Sequence, residues 1–324
     1  MNWTIENIDD LNGKVIIVTG GNSGLGYESV KAFALKGAQV ILASRSVKKG
    51  EEAKAEIIKD IPEGKIQVMQ LDLGDLESVR NFAAAYKKNF KSLDVLLNNA
   101  GIMMTPYFTT KDGFEGQLGT NHLGHFALTG LLLDVLLKTE GARIVNVSSG
   151  AHKNGEMDFD NLQFEHGKGY KPMKAYGRSK LSNLLFTYEL QRKLEAAQKD
   201  TISLAAHPGV AMTNLARHME GRFLFKILTP LFKRMAQDAS MGALPQIRAA
   251  VDPEAKGGEY YGPDSKREWK GFPVLVPSNE ASHNQEDAKK LWEESENHLK
   301  EFLATLGLVL LNYDLGNGNI RLSQ

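Results

Sequence analysis

Tyr176 and Lys180 stand four residues apart in the segment Ala175-Tyr176-Gly177-Arg178-Ser179-Lys180, and Ser149 lies upstream at the end of an apolar strand. A spacing of four brings phenol and ammonium onto one helical face, where the cation favours the ionised phenol. Acid–base work near neutral pH asks for a shift of about 2 to 3 units from the ordinary tyrosine pKa, or about 3 to 4 kcal/mol. One cation at about 4 Å, at an effective dielectric of about 20, supplies about 4 kcal/mol. These residues predict a proton-transfer site. Tyr and Lys at this spacing also occur on many amphipathic helices, so the pair takes its meaning from the rest of the chain.

The elements that must hold these residues alternate. Short apolar runs at 14–19, 38–43, 66–70, 93–98, 143–147 and 202–207 read as strands. Helical patterns at about 25–36, 76–89, 116–137, 176–197 and 286–303 lie among them. Strands apolar on both faces and separated by helices call for a parallel sheet covered on both sides. The expected fold is therefore α/β, a doubly wound Rossmann-type sheet forming a single domain over 1–324. Two stretches break the alternation. One is polar and glycine-rich, Ala151 to Lys174; the other, about 211–235, gathers Phe223, Leu224, Phe225, Ile227 and Leu228 and is expected to act as a substrate lid. A tail at about 304–324 follows the final helix.

The first strand runs into Thr19-Gly20-Gly21-Asn22-Ser23-Gly24-Leu25-Gly26. Gly20, Gly24 and Gly26 allow a tight turn and let backbone amides and a helix N-terminus approach a pyrophosphate, with Asn22, Ser23 and Leu25 in the same turn. Strand two ends in Ala43-Ser44-Arg45, where an acidic residue would select an unphosphorylated ribose. The Arg45 guanidinium instead pairs with a 2′-phosphate, so NADP (NADPH) is the expected cofactor, with Ser44 beside it. Asp72 and Leu73 after strand three are placed at the adenine, and Asn99, Ala100 and Gly101 after strand four line the cofactor trough.

Thr19 to Gly26, Asn98-Asn99-Ala100-Gly101, Ser149, Tyr176-x-x-x-Lys180 and Pro208-Gly209 together resemble the short-chain dehydrogenases/reductases, over about residues 12 to 300. Thr120-Asn121-His122-Leu123-Gly124-His125-Phe126 and the long segment between Ser149 and Tyr176 are similar to the branch of retinol dehydrogenases, WW-domain oxidoreductases and light-dependent protochlorophyllide reductases. The resemblance implies that Tyr176 is the general acid/base and that Lys180 lowers its pKa and holds the nicotinamide ribose. It further implies that Ser149 binds the reacting oxygen, in preference to Ser148, and that Asn121 anchors a water leading from Lys180 to solvent. Pro208, Gly209 and Val210, with Thr213, resemble the family's clamp on the nicotinamide carboxamide. His122 and His125 form an i, i+3 pair without acidic or third-histidine ligands; they are read as helix packing, and no metal is expected.

Composition narrows the function class. Lys plus Arg and Asp plus Glu both number 39, giving no net charge to draw nucleic acid or an acidic membrane. With no cysteine, thiolate zinc sites and a cysteine nucleophile are excluded. Residues 1–11 lack the basic start and apolar core of a signal peptide, and the apolar stretch 302–311 is about half the ~20 residues that span a bilayer. A cytoplasmic location without a membrane span is expected, and an N-terminal hydrophobic anchor of the retinol-type branch is not found. The expected activity is NADP-dependent interconversion of a carbonyl and an alcohol on an apolar small molecule, by a chain that can form a homo-oligomer. Reduction of a carbon–carbon double bond and non-catalytic NADP binding are the alternatives. A phosphate-binding loop of kinase or ATPase type lacks its lysine and is set aside.

Overall fold

In the computed structural model, which describes residues 2–211 and 236–304, eight strands form one sheet in the order β3-β2-β1-β4-β5-β6-β7-β8. The strands are β1 Val15–Thr19, β2 Gln39–Ser44, β3 Lys65–Gln70, β4 Val95–Asn98, β5 Arg143–Val147, β6 Ile202–Ala206, β7 Tyr260–Pro263 and β8 Pro273–Leu275. All neighbours pair in parallel except β7 with β8. Strand order reverses between β1 and β4, and that reversal opens a crevice at their C-terminal ends.

Hydrophobic alternation explains the two-sided core. Ile16 and Val18 of β1 point into one layer, with Val30 and Phe33 of α1 (Gly24–Leu35), Ile57 of α2 (Val47–Asp60) and Ile247 of α7 (Ala239–Val251). Ile17, on the other face, joins Phe82 of α3 (Leu76–Asn89), Leu132 of α5 (Gly124–Leu136), Phe186 of α6 (Pro172–Ala196) and Trp292 of α8 (Gln285–Ala304). Successive strand side chains face opposite sides, so the central strands need apolar residues at every position.

The fold class matches the expectation, and four details differ. Strands β7 and β8 and helix α7 were not foreseen; the strands are short, and α7 carries Pro245 in its interior. Helix α2 fills the space after Arg45. The expected helix 116–137 divides into α4 (Gly116–Leu118), a π-helical stretch Gly119–Leu123 and α5. Helix α6 starts at Pro172, whose fixed φ suits the first turn, so Tyr176 sits a full turn inside rather than at its start. The expected lid after Ala211 and the tail after Ala304 lie outside the described residues.

Candidate active site

A cleft of about 360 Å³ follows the C-terminal ends of β1, β2 and β4. Its floor is the turn from β1 into α1. Gly20 adopts φ +66°, and its amide donates to the Ala43 carbonyl at 2.8 Å, folding the chain back on the end of β2. A Cβ at Gly26 would collide with the Gly20 carbonyl oxygen and stand 2.6 Å from Asn99 Nδ2. Glycine here lets the helix N-terminus close on the turn, and Asn22, Ser23, Gly24 and Leu25 border the cleft along it. Free amides at a helix N-terminus with no side chain in front form a cradle suited to a pyrophosphate.

At the β2 end, Ser44 is buried with its hydroxyl 3.0 Å from Asn22 Oδ1, while Arg45 is exposed and borders the cleft with Ser46 and Lys49. Asp72 and Leu73 line the adjoining wall; Asp72 Oδ1 accepts from the Gly74 amide at 3.0 Å, closing the turn before α3. Asn99, Ala100 and Gly101 line the opposite wall. The Asn99 side chain is committed to the fold: Nδ2 donates to the Thr19 carbonyl at 2.7 Å, and Oδ1 accepts from Gln246 at 3.0 Å.

Tyr176 and Lys180 reach the inner end of the cleft from α6, and both are buried. Ser149 caps the short turn Gly150–Asn154, its hydroxyl accepting from the Ala151 amide at 3.2 Å, and stands close enough to the Tyr176 phenol to favour its ionised form. Ser148, rather than Ser149, borders the cleft, and its hydroxyl donates to the Lys180 carbonyl at 2.8 Å. Of the two serines, only Ser149 turns its side chain to the phenol.

Burial dominates the electrostatics of the pair. It pushes the Tyr176 phenol above its ordinary pKa, opposed by the neighbouring Ser149 hydroxyl. Lys180 Nζ lies 5.8 Å from the centre of the Tyr176 ring and donates to the Val147 carbonyl at 2.9 Å. Desolvation lowers the ammonium itself to about 8, so the cation is also expensive to charge.

Asn121 sits in the π-helical stretch. Its side chain clasps Ile102, accepting from the Ile102 amide at 2.8 Å and donating to the Ile102 carbonyl at 3.0 Å, and it also donates to Ser179 Oγ at 2.9 Å. The side chain thus fixes the loop after Gly101 against α6; a Cβ on Gly101 would stand 3.2 Å from Asn121 Oδ1 and 3.5 Å from Lys180 Nζ. His122 and His125 are buried apart: His122 Nε2 meets Ser295 Oγ at 2.9 Å, and His125 Nδ1 meets the Asn121 carbonyl at 3.0 Å.

Beyond β6, Pro208 borders the cleft, whereas Gly209 and Val210 do not. The Gly209 amide donates to His207 Nδ1 at 3.2 Å, and the Val210 amide donates to the Trp269 carbonyl at 2.7 Å. The Gly209 and Val210 amides are thus paired within the protein, and Pro208 is the part of the turn that reaches the cleft. Thr213 lies outside the described residues. Thr19, Leu71, Ile102, Met103, Thr120 and Val147 complete the lining; they were missed because nothing in their residue types marks them apart from neighbouring strand and loop residues.

Residues 14–161 match the family model described as short chain dehydrogenase. The chain is 42% identical over 287 residues to retinol dehydrogenase 12 of Homo sapiens, covering 88% of this chain and 86% of that protein. The chain belongs to the short-chain dehydrogenase family. Within the family it falls in the retinol dehydrogenase branch, as a further match of 48% over 226 residues to human retinol dehydrogenase 11 supports. A crystal structure of a Mycobacterium paratuberculosis protein superposes with TM-score 0.77 at 39% identity, covering 93% of this chain and 98% of that one. As a short-chain dehydrogenase the chain is an oxidoreductase, and the glycine cradle and cleft fit the nicotinamide dinucleotide on which the family depends.

Proposed function

We propose that this short-chain dehydrogenase uses NADP(H) to interconvert a carbonyl and an alcohol on an apolar small molecule, with Tyr176 as proton donor and acceptor. The reading is carried by one convergence: Tyr176 and Lys180 line the inner end of a cleft that begins at the glycine turn and Arg45, and Ser149 stands beside the phenol. When bound, the dinucleotide supplies or accepts the hydride. The chain's residues do the rest. A buried phenol held protonated is suited to deliver its proton to a carbonyl oxygen, and Ser149 holds that oxygen beside it. Lys180 holds the ribose hydroxyls at the cofactor's nicotinamide end.

Arg45 and Lys49 support the phosphorylated dinucleotide, since both border the cleft where the adenine ribose would lie. Ile102 and Met103 on the cleft wall support an apolar substrate, and so do the names of the retinol dehydrogenases above. No helix among the described residues is long and apolar enough to cross a membrane. A cytoplasmic, homo-oligomeric enzyme remains part of the proposal, tested by cell fractionation and light scattering.

The decisive experiment is NADPH consumption with a panel of aldehydes, ketones and enones, all-trans-retinal included, by the chain and its Tyr176→Phe variant. The variant is expected to bind NADPH with wild-type affinity and lose at least about a hundredfold in kcat. Retained turnover would rule out Tyr176 as the proton donor.

A further inference from the structure

Behind Ser149 and Pro208 a single carboxylate joins two segments far apart in sequence. Glu268 lies on the loop between β7 and β8. Its Oε2 is 3.0 Å from His207 Nε2, and its Oε1 is 3.0 Å from Lys153 Nζ. His207 opens the Pro208–Val210 turn, and its Nδ1 accepts from the Gly209 amide at 3.2 Å, so its proton sits on Nε2, close to Glu268 Oε2 though outside hydrogen-bond geometry. Lys153 belongs to the short turn capped by Ser149, and in that turn His152 Nδ1 donates to the Ser149 carbonyl at 2.6 Å. The neighbour of Glu268 continues the grip: the Trp269 carbonyl accepts from the Val210 amide at 2.7 Å.

We propose that Glu268 is a positioning residue that sets the spacing between the Ser149 turn and the Pro208–Val210 turn, two walls standing behind the inner end of the cleft and reaching its lining at Pro208. The inference rests on the function proposed above, since it assigns those walls to the reacting end of the cofactor. Three observations carry it. The carboxylate uses one oxygen on each wall. Its backbone is held at φ +55°, a region that disfavours any side chain beyond glycine, so the loop maintains a strained residue at this position. His207 is buried, and the Glu268 side chain is 16% exposed, which leaves little water to replace either link. The nearby His207 ring and the Lys153 ammonium hold the Glu268 carboxyl well below the usual carboxylate range, so it is ionised at neutral pH.

Glutamine preserves shape but carries no charge and one acceptor oxygen in place of two, so Glu268→Gln weakens the Lys153 pair and the His207 contact together. Hydrogen exchange of the whole chain without ligand reads both walls directly. Glu268→Gln is expected to speed exchange at Gly209 and Val210 and also in residues 150–154, because the shared anchor is lost to both. Lys153→Met, at a side chain 46% exposed, is expected to speed exchange only in residues 150–154. In turnover with NADPH, Glu268→Gln is expected to lower kcat about tenfold while the KM for NADPH changes less than about threefold, the pattern of misplaced reacting groups. Unchanged exchange at both walls, or unchanged kcat, would overturn the proposal. Should Glu268→Gln fail to fold, Lys153→Met decides: faster exchange confined to residues 150–154 supports the link, and none refutes it. Turnover surviving in Tyr176→Phe would instead strike the functional reading and leave the exchange result intact.

Discussion

The Thr19 hydroxyl lies 2.9 Å from His125 Nε2, joining the end of β1 to the helix that carries Asn121. Thr19 Oγ1 already accepts from the Asn99 and Ala100 amides, each at 2.9 Å. Its own proton is therefore directed to His125 Nε2, which places the imidazole proton on Nδ1, facing the Asn121 carbonyl. The imidazole stays neutral, because burial lowers it to about 4. The dinucleotide turn and the π-helical stretch are thereby tied through one tautomer.

Thr19→Val keeps the shape and removes the acceptor, leaving two part-buried amides unpaired. We expect a loss of about 2 to 4 kcal/mol in chemical denaturation, and Thr19→Ser should restore most of it. A valine variant as stable as the parent would mean that those amides find other partners.

Lys180 makes stability depend on alkaline pH. Its folded pKa, about 8, lies below the ordinary value of 10.5, so between these values the unfolded chain binds the extra proton and stability rises with pH. Below pH 8 the burial penalty is fully present. Above pH 10 the raised Tyr176 works in the opposite direction, since the unfolded phenol ionises first. Between pH 8 and 10 the chain should therefore gain about 2 kcal/mol relative to Lys180→Met, measured by denaturation at both ends of that range. Parallel curves for the two proteins would show that Lys180 is not the titrating group.

Arg45→Asp should raise the KM for NADPH on the order of 10- to 100-fold and leave NADH unchanged or improved. The reason is the sign of one charge beside the ribose: a guanidinium pairs with a phosphate, and a carboxylate repels it. Equal losses with both cofactors would remove Arg45 from the 2′-position.

Gly26→Ala tests the cradle. The added methyl meets the Gly20 carbonyl, on the backbone of the turn, and Asn99 Nδ2, held by its bond to the Thr19 carbonyl, so the turn must open. Fluorescence titration should show NADPH affinity falling at least about tenfold, with a loss of about 1 to 3 kcal/mol in stability. Gly141→Ala brings the strain of φ +65° with nothing for its Cβ to meet and lies outside the cleft lining, so it should leave NADPH affinity unchanged.

Much of this architecture was legible because the cues were local. The run from Val15 to Gly26 states a buried strand, a turn and a helix start within a dozen residues, and Tyr176 and Lys180 share a face by spacing alone. Strands β7 and β8 were not legible: Tyr260–Pro263 and Pro273–Leu275 are too short, and too rich in proline and glycine, to show alternation. Pro245 hid α7, since an interior proline reads as a helix break. At the site, residue types located Asn99, Asn121 and Val210 without saying where their polar groups would be spent. Those pairings, with Thr19, Ile102 and Trp269, are long-range and appear only when the sheet order brings the segments together. The partnership of Glu268 with Lys153 spans 115 residues and leaves no pattern in sequence.

The π-helical stretch Gly119–Leu123 carries one more residue per turn than the α-helix that follows it. Chain length there is consequently as constrained as residue identity. Deleting one residue would let the stretch relax to α geometry with α5 still in register, so Phe126 and Leu132 would keep their places in the core. The cost would fall inside the stretch instead, where Asn121 would be taken off Ile102 and Ser179, so the surplus residue serves the site and not the core.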